Sequence, residues 1–363
     1  MSFLESVSGL LLAFGVSFFV TPAVARLALS FHAVDRPSER GVNQRPDVPL
    51  MGGLAVLFGL LAGLALASAL AEPGEILDRR MTGFLLGALL LVAAGVWDDL
   101  FGMNAPAKLG VQVLAAAVAI AHGFEISSFT DPITRTLLDV PTSIGWVASF
   151  LWIVGITNAL NLLDGMDGLA TGVGTIIAVT LTMIAWQVGS PFGFFMGLAL
   201  VGALAGFLPH NFPPARVFLG DTGSLLLGYA LALLALDGYQ RVSLITFVVP
   251  LLALAVPILD TTLSIARRIY RRDPLFRADR LHMHHRILAL QGNTRSALMQ
   301  FYFLTAAFCL LALSIRDLGG FTAAGLLILV LLLTVRMLWN MGLLRFADDP
   351  ADDDGHLGTG GST

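Results

Sequence analysis

The amino-acid sequence predicts an all-α fold, that of a polytopic integral membrane protein with about ten to eleven transmembrane helices. Of its 363 residues, 56% are hydrophobic and only 13% are charged, whereas soluble domains carry about a quarter charged residues. The mean hydropathy is +0.82, and apolar stretches run nearly from end to end. Length alone would allow two soluble domains, but this composition favours one transmembrane domain over residues 1–345.

Eleven helix candidates follow from the requirement that a membrane-spanning helix contain about 20 mostly apolar residues. Polar or Gly/Pro-containing breaks separate them, the longest being 32–49 and 267–295. In chain order the candidates lie near 5–30, 50–71, 82–97, 108–122, 144–163, 168–188, 192–209, 222–237, 243–267, 297–315 and 320–341. The tail, 346–363, is acidic and then rich in Gly, Ser and Thr, which is typical of disordered segments.

Basic residues are distributed unequally between the two sets of helix ends and loops. If the N-terminus faces outwards, the inner set contains sixteen Lys and Arg residues and the outer set five, namely Arg79, Arg80, Arg135, Arg241 and Arg316. Cytoplasmic loops of membrane proteins are enriched in Lys and Arg, so this bias places the N-terminus outside. Every unusual polar cluster described below then falls on the cytoplasmic side, which predicts an active site at that face.

The first cluster is a pair of adjacent carboxylates, Asp98 and Asp99, at the end of the third helix candidate. Adjacent carboxylates repel each other unless a cation or a basic partner compensates them. Lys108, the only lysine in the chain, follows ten residues after Asp98, where it can pair with either acid or bind a phosphate. An ordinary solvated helix end and a basic membrane anchor are the alternative interpretations.

The second cluster repeats a polar group every three residues, at Asn158, Asn161, Asp164 and Asp167. Helical geometry would keep neighbouring members of this series on one side, and the glycines between and after the acids permit a bend. Carboxylate and amide oxygens are the ligands that Mg²⁺ prefers. A purely structural polar helix end is the alternative.

The third cluster places Asp221 among small residues at the start of the eighth helix candidate. Such a residue can be an N-cap, but helix N-termini also bind phosphates and metal–phosphate complexes.

The fourth cluster contains three of the seven histidines, His282, His284 and His285, followed by Arg286. A zinc site is one interpretation, although thiolate ligands are absent from the cluster. Imidazole and guanidinium groups also neutralise phosphate oxygens. Together the four clusters describe a phosphoryl-transfer site, which needs positive charge, a bridging Mg²⁺ and exact positioning.

The sequence resembles a known family, the polyprenyl-phosphate N-acetylhexosamine-1-phosphate transferases. Four segments carry the resemblance in the family's order: WDDLFGMNAPAK, NALNLLDGMDGLA, HNFPPARVFLGDTGSLLLG and DRLHMHHR. The resemblance implies a Mg-dependent phosphoglycosyl transferase of a bacterial cytoplasmic membrane, with Mn²⁺ as an alternative metal. Such an enzyme transfers N-acetylglucosamine 1-phosphate, or a related amino-sugar phosphate, from a UDP-sugar to undecaprenyl phosphate. UMP is released, and the glycolipid starts a cell-envelope glycan.

The resemblance also implies roles for individual residues. Asp221 and Asn161 would bind the metal on the diphosphate. Asp98 and Asp99 would lie beside the lipid phosphate with Lys108 nearby, Asp98 would be the candidate base, and Asp164 would support the centre. The uridine site would be lined by Asp167, Asn211 and Phe218. The remaining contacts to sugar or phosphate would come from His282, His284, His285 and Arg286.

The HxHH spelling after Asp279-Arg280 resembles the UDP-GlcNAc branch more than the muramoyl-pentapeptide branch, which often shows three consecutive histidines. Two residues depart from the family pattern. Asp47 stands where relatives often carry His, and Leu50 replaces a frequent Arg. These departures put the role of that loop, and the choice of sugar, in question.

Three other readings compete with this one. A phospho-N-acetylmuramoyl-pentapeptide transferase differs in the donor sugar. A polytopic transporter would carry its carboxylates near the membrane midplane instead of at one face. A CDP-alcohol phosphotransferase would need an Ala-Arg pair soon after its first Asp-Gly, which does not follow Asp164. No basic patch interleaved with aromatic residues suggests nucleic acid. Small-residue spacings such as Gly168-xxx-Gly172 leave a homodimer open.

Overall fold

We describe the protein from a computed structural model, which covers residues 3–35, 47–70, 78–130, 137–239, 244–272, 283–317, 320–340 and 343. These residues form thirteen α-helices and two short antiparallel hairpins. The helices are α1 (Phe3–Ser30), α2 (Gly53–Leu70), α3 (Arg79–Phe101), α4 (Ala105–Ala121), α5 (Thr142–Leu163), α6 (Leu169–Val188), α7 (Pro191–Asn211), α8 (Gly220–Tyr239), α9 (Leu244–Ala253), α10 (Ala255–Arg271), α11 (Met283–Gln291), α12 (Thr294–Asp317) and α13 (Gly320–Asn340). The hairpins pair β1 (Val34–Asp35) with β2 (Val48–Pro49), and β3 (Ser128–Thr130) with β4 (Leu137–Asp139).

The helical fold agrees with the predicted all-α membrane class. Within the described residues, seven helices are long and apolar enough to cross a membrane: α1, α2, α3, α5, α6, α7 and α12. Two shorter apolar helices, Ala105–Ala121 and Gly325–Asn340, fall below that length. Of the ten to eleven spanning helices that the sequence predicts, seven are therefore supported by length and composition.

The outer surface of the bundle is apolar. Side chains such as Phe19 and Phe303 are each 77% exposed, and exposed Leu, Ile and Trp side chains occur on most helices. Soluble monomers rarely expose large contiguous apolar patches, whereas a lipid-facing surface requires them. The exposed side chains therefore match a multi-pass membrane protein.

Helix α8 lies at the centre of the bundle, where α2, α3, α5, α6 and α7 pack around it. Its side chains from Leu225 to Leu236 are almost completely buried. A helix that is hydrophobic all round is expected in such a central position. The residues at its two ends are therefore held by several other helices at once.

Glycines allow two helices to approach the start of α8 closely. A Cβ atom at Gly95 of α3 would overlap the backbone of Thr222, and one at Gly53 of α2 would overlap Gly223. Small residues let backbones approach in this way in membrane helix packing. Asp98 and Asp99, one turn after Gly95, are consequently brought beside the N-terminus of α8.

The start of α3 and the end of α8 are joined by a partly buried ion pair. Nη1 of Arg80 donates to Oδ1 of Asp237 at 2.8 Å, and the Asp237 carboxylate is completely buried. The hydroxyl of Ser190, which also caps α7, donates to the other oxygen of Asp237. Removing one partner of such a pair leaves an uncompensated buried charge, which is strongly destabilising. This contact ties together three helices at the end of the bundle away from the polar clusters.

The prediction of one continuous helix over 243–267 is wrong. The structure breaks it at Leu254 into α9 and α10. Proline lacks a backbone N–H and clashes with the carbonyl four residues earlier. Pro257 lies in the first turn of α10, so the break frees the carbonyl of Ala253, which accepts from the thiol of Cys309. The structure also shows a helix, α11, inside the segment 267–295 that the sequence analysis treats as a polar insertion.

Candidate active site

A cavity of about 790 Å³ opens at one end of the bundle, where α3, α5 and α7 end and α8 and α12 begin. Six aspartates line it: Asp35, Asp98, Asp99, Asp164, Asp167 and Asp221. The other lining residues include Leu50, Asn211, Phe218, Asn293, Thr294 and Arg295. Residues from the first, second and third clusters thus meet at one site, although as many as 123 positions separate them in the chain.

Asp99 binds the N-terminus of α8 with both carboxylate oxygens. Oδ1 accepts from the backbone N–H of Asp221 at 2.9 Å, and Oδ2 accepts from the backbone N–H and the hydroxyl of Thr222 at 3.2 and 2.6 Å. The first N–H groups of a helix have no partner within the helix, and a negative charge there is favourable. Gly220, with φ of +70°, gives the chain the left-handed turn that leads into α8. Asp99 therefore caps α8 from another helix and fixes the position of Asp221.

Lys108 lies between two carboxylates. Its ammonium group contacts Asp98 Oδ2 at 2.5 Å and also pairs with Asp221 Oδ2. Lys108 belongs to the first turn of α4, whose cap is Asn104, so the turn between α3 and α4 brings the lysine back beside Asp98. The ammonium charge offsets the repulsion between the two acids.

Asn161 orients Asp221 from the opposite side. Its Nδ2 donates to Asp221 Oδ1 at 2.7 Å and to Ser224 Oγ at 2.8 Å. Both bonds use the amide nitrogen, so the amide oxygen is the atom of Asn161 that is suited to a metal.

Asp164 follows the last residue of α5 and lines the cavity. Burial raises the pKa of its carboxyl well above the usual value. Three neighbouring carboxylates raise the pKa further, those of Asp221, Asp99 and Asp167. Both causes disfavour the charged form of the Asp164 carboxyl, and a cation bound nearby would favour it.

Two residues of the predicted uridine site hold the loop between α7 and α8. Asp167 Oδ2 accepts from the backbone N–H of Ala215 at 2.9 Å. Asn211 is 2% exposed; it donates to the carbonyl of Val217 at 3.0 Å and accepts from the hydroxyl of Thr171 at 2.7 Å. The structure therefore gives both residues a role in shaping the cavity wall.

Phe218, the third residue of the predicted uridine site, joins this loop to the start of α2. Its N–H donates to Pro49 at 2.9 Å, and its carbonyl accepts from Gly52 at 3.0 Å. These bonds place Leu50, where the sequence departs from the family pattern, in the cavity wall. Asp47 is not among the residues that line the cavity.

The histidine cluster is only partly covered by the structure. His284, in the first turn of α11, is 3% exposed and its ring lies against Gly165 beside Asp164. Arg286 is exposed on the same helix. His282 and the side chain of His285 lie outside the described residues. The structure thus brings one histidine of this cluster to the rim of the acidic centre.

The start of α12 is a part of the site that the sequence patterns did not indicate. Asn293, Thr294 and Arg295 line the cavity, and Nε of Arg295 donates to the carbonyl of Pro213 at 3.0 Å. Arg295 had counted only toward the bias of basic residues. The one available signal was its place just after a polar break on the side where the acidic motifs fall.

The oxygen-rich side chains of the cavity fit a hard divalent cation. Within the described part of the chain, no three His, Cys, Asp or Glu side chains converge closely enough to enclose a metal by themselves. Mg²⁺ is often held by one or two carboxylates, with substrate phosphates and water completing the shell. Asp221, with the amide oxygen of Asn161 beside it, suits that arrangement better than a closed structural site.

Comparisons with known proteins show which family the chain resembles. Residues 81–239 match the model of Glycosyl transferase family 4. The chain is 37% identical over 302 residues to a Bacillus subtilis (strain 168) protein named "Probable undecaprenyl-phosphate N-acetylglucosaminyl 1-phosphate transferase", covering 82% of this chain and 81% of that protein.

Two further relatives carry related names. The decaprenyl-phosphate N-acetylglucosaminephosphotransferase of Mycolicibacterium smegmatis is 34% identical over 79% of this chain and 76% of its own length. The phospho-N-acetylmuramoyl-pentapeptide-transferase of Desulforudis audaxviator is 33% identical over 85% and 98%, respectively. The name of the Mycolicibacterium relative contains N-acetylglucosamine, as that of the Bacillus relative does. The Desulforudis relative is named for N-acetylmuramoyl-pentapeptide instead.

Proposed function

Since this chain belongs to glycosyl transferase family 4, we propose that it transfers N-acetylglucosamine 1-phosphate from UDP-GlcNAc to a polyprenyl phosphate such as undecaprenyl phosphate. The membership confirms the resemblance seen in the four sequence segments. The chain is a multi-pass protein of a bacterial membrane, and its relatives are named for polyprenyl phosphate and N-acetylglucosamine. The product would start a cell-envelope glycan.

One observation carries this proposal. Acids and a lysine from the ends of α3, α4, α5 and α8 meet at one end of a membrane bundle, beside a cavity of about 790 Å³. A cavity of this size accommodates a nucleotide sugar, and its place at a helix end allows a lipid phosphate to reach it from the membrane. A transporter would instead require a binding site near the bilayer midplane.

The donor would bind with its nucleotide against the loop between α7 and α8. Asp167 and Asn211 hold this loop, and the aromatic ring of Phe218, which lines the cavity, would stack on the base. The diphosphate would then point toward Asp221 and Asn161, the residues that would hold the metal bound to it. His284, beside Asp164, would face the sugar or its phosphate.

A divalent metal, Mg²⁺ or Mn²⁺, would be held by Asp221 and by the amide oxygen of Asn161. Bound there, it would neutralise charge on the diphosphate oxygens during transfer. Asp99 would act as a positioning residue, because its bonds to the backbone of α8 hold Asp221 in place. A cation bound there would favour the ionised form of Asp164, whose carboxylate would then add to the attraction for the metal.

The chemical step that we favour is direct attack by the lipid phosphate. An oxygen of this phosphate forms a bond to the β-phosphorus of UDP-GlcNAc, and the bond from the β-phosphorus to the bridging oxygen breaks. UMP leaves with that oxygen and its electron pair. Asp98 would accept the residual proton of a singly protonated lipid phosphate, and Lys108, released from one of its carboxylates, would orient the attacking phosphate.

We further propose that the active site faces the cytoplasm and that the N-terminus faces outwards. The sixteen-to-five distribution of basic residues supports this orientation. In a Cys309→Ala background, Ser143→Cys at the start of α5 and Gln291→Cys at the end of α11 place thiols at opposite ends. A membrane-impermeant maleimide should label the first in intact cells and the second only after permeabilisation. The reverse pattern would refute the orientation.

The decisive experiment for the function is UMP release by detergent-purified protein given UDP-GlcNAc, undecaprenyl phosphate and Mg²⁺. We expect UMP and a new glycolipid in equal amounts, both lost on addition of EDTA and restored by excess Mg²⁺. Omitting the lipid phosphate separates transfer from hydrolysis of the donor. Folded protein that releases no UMP from any UDP-amino sugar would refute the proposal.

The same assay should be run with a second donor. One relative is a phospho-N-acetylmuramoyl-pentapeptide-transferase, and the chain matches it over 98% of that protein's length. UDP-N-acetylmuramoyl-pentapeptide should give no UMP if the N-acetylglucosamine assignment holds. Turnover with this donor alone would keep the transfer chemistry and change the sugar.

A further inference from the structure

The cavity contains one cationic side chain among the described residues that line it. Six aspartates contribute to the wall, and only Arg295 carries a positive charge. A nucleotide diphosphate brings further negative charge into this acidic space. Binding such a ligand requires positive charge close to its phosphates, so each cation at the site matters.

The charge of Lys108 is already compensated. Its ammonium pairs with both Asp98 and Asp221. Arg295 differs, because its Nε donates to a neutral carbonyl, that of Pro213, at 3.0 Å. Within the described ranges no carboxylate lies at ion-pair distance from Arg295. A guanidinium has five N–H donors, so four remain after the bond to Pro213.

The place of Arg295 is set by the rest of α12. Arg295, Leu298 and Tyr302 are spaced so that they lie on one face of the helix. The hydroxyl of Tyr302 donates to the carbonyl of Gly168 at 2.6 Å, and Leu298 packs against the same glycine. This face therefore contacts the loops on both sides of the cavity, and it holds Arg295 beside the segment that Asp167 fixes through Ala215.

We propose that Arg295 binds a phosphate of the nucleotide donor, an inference that rests on the proposed function. The planar fork of a guanidinium matches phosphate oxygens in two parallel hydrogen bonds. The bond from Nε to Pro213 orients this fork before the ligand arrives, which reduces the entropy lost on binding. Arg295 thus supplies charge at the nucleotide side of the cavity, away from Lys108 at the acceptor side.

The test compares Arg295→Gln, Arg295→Lys and a matched control, Arg26→Gln, in UMP binding by calorimetry and in steady-state kinetics. Arg26 is exposed on α1, and its Nε bonds to a carbonyl of its own helix. We expect Arg295→Gln to weaken UMP binding and to raise the KM for UDP-GlcNAc, each by about 10- to 100-fold. This is the scale of a lost charge-assisted hydrogen bond. Uridine, which has no phosphate, should bind the variant as it binds the unaltered protein.

Arg295→Lys should recover part of the UMP affinity, because it keeps the charge but loses the bond to Pro213. Arg26→Gln should leave all these quantities unchanged. Equal weakening of UMP and uridine would overturn the proposal, since it would show that Arg295 acts only by holding the Pro213 loop. Unchanged UMP affinity in folded Arg295→Gln protein would overturn it as well. UMP binding needs no turnover, so this result is separate from a failure of the transferase assay.

Discussion

The role assigned to Asp99 leads to a comparison with its neighbour, Asp98. In Asp99→Asn the amide keeps one oxygen, which can still accept from the N–H of Asp221. The amide nitrogen cannot accept, so both bonds from Thr222 to Oδ2 are lost. Each lost hydrogen bond costs about 1 to 1.5 kcal/mol, and removing negative charge from a helix N-terminus costs about 0.3 to 1 kcal/mol. We expect a loss of about 2 to 4 kcal/mol in the free energy of unfolding.

Asp98→Asn is the matched control, because it makes the same chemical change one residue away. The Asp98 carboxylate pairs with Lys108, which keeps Asp221 as a second partner when Asp98 is changed. We expect this variant to lose less than about 1 kcal/mol of stability, the range of a partly exposed ion pair, but to lose most of its transferase activity. Chemical unfolding in detergent micelles, followed beside UMP release, measures both effects.

A double-mutant cycle with Thr222→Val isolates the contact. Valine has the shape of threonine without the hydroxyl, so it removes only the 2.6 Å bond to Asp99. If that bond contributes to stability, the two substitutions should be coupled by about 0.5 kcal/mol or more. Equal stability losses for Asp98→Asn and Asp99→Asn, or additive effects in the cycle, would refute the capping role.

Three further outcomes are expected. Asp221→Asn should abolish UMP release while the protein stays folded by circular dichroism, because one oxygen can still accept from Asn161; activity near that of the unaltered protein would exclude Asp221 as a metal ligand. Tyr302→Phe should raise the KM for UDP-GlcNAc about fivefold with little change in kcat, since the lost bond to Gly168 is worth about 1 kcal/mol; a fall in kcat alone would contradict this positioning role. Asp164→Asn should raise the thermal midpoint of unfolding, measured in EDTA, at pH 7 but not near pH 4. Because the pKa of Asp164 is raised in the folded state, its contribution to stability is fully present only while both states are protonated, and it is lost as the pH rises above about 3.8. An equal gain at both pH values would assign the effect to packing.

Much of the fold is readable from the sequence because the signal is local. Each apolar run of about 20 residues records the thickness of a membrane, and the helix candidates near 144–163, 168–188 and 192–209 differ from α5, α6 and α7 by at most two residues at either end. The break at Leu254 was missed, although Pro250 and Pro257 both lie in that run. Hydropathy does not register that proline lacks a backbone N–H. An average over the run therefore gives no sign of the break.

The chemistry of the candidate site is also largely readable from the sequence. Asp98, Lys108, Asn161, Asp164 and Asp221 attract notice because polar groups at the ends of apolar helices are costly. Their residue types indicate metal and phosphate. Which partner each one contacts does not follow from type or spacing.

Only the tertiary structure decided which partner each of these residues contacts. Asp98 and Asp99 are neighbours in sequence, yet one pairs with Lys108 while the other caps a helix that begins 121 residues later, at Gly220. Tyr302 carries no local signal, and the only one for Arg295 is its place after a polar break, since an arginine or a tyrosine on an apolar helix is ordinary. Their importance comes from contacts with Pro213 and Gly168, which only the packing of α12 against α6 creates. Sequence patterns report what each segment is made of, whereas these contacts depend on how distant segments meet.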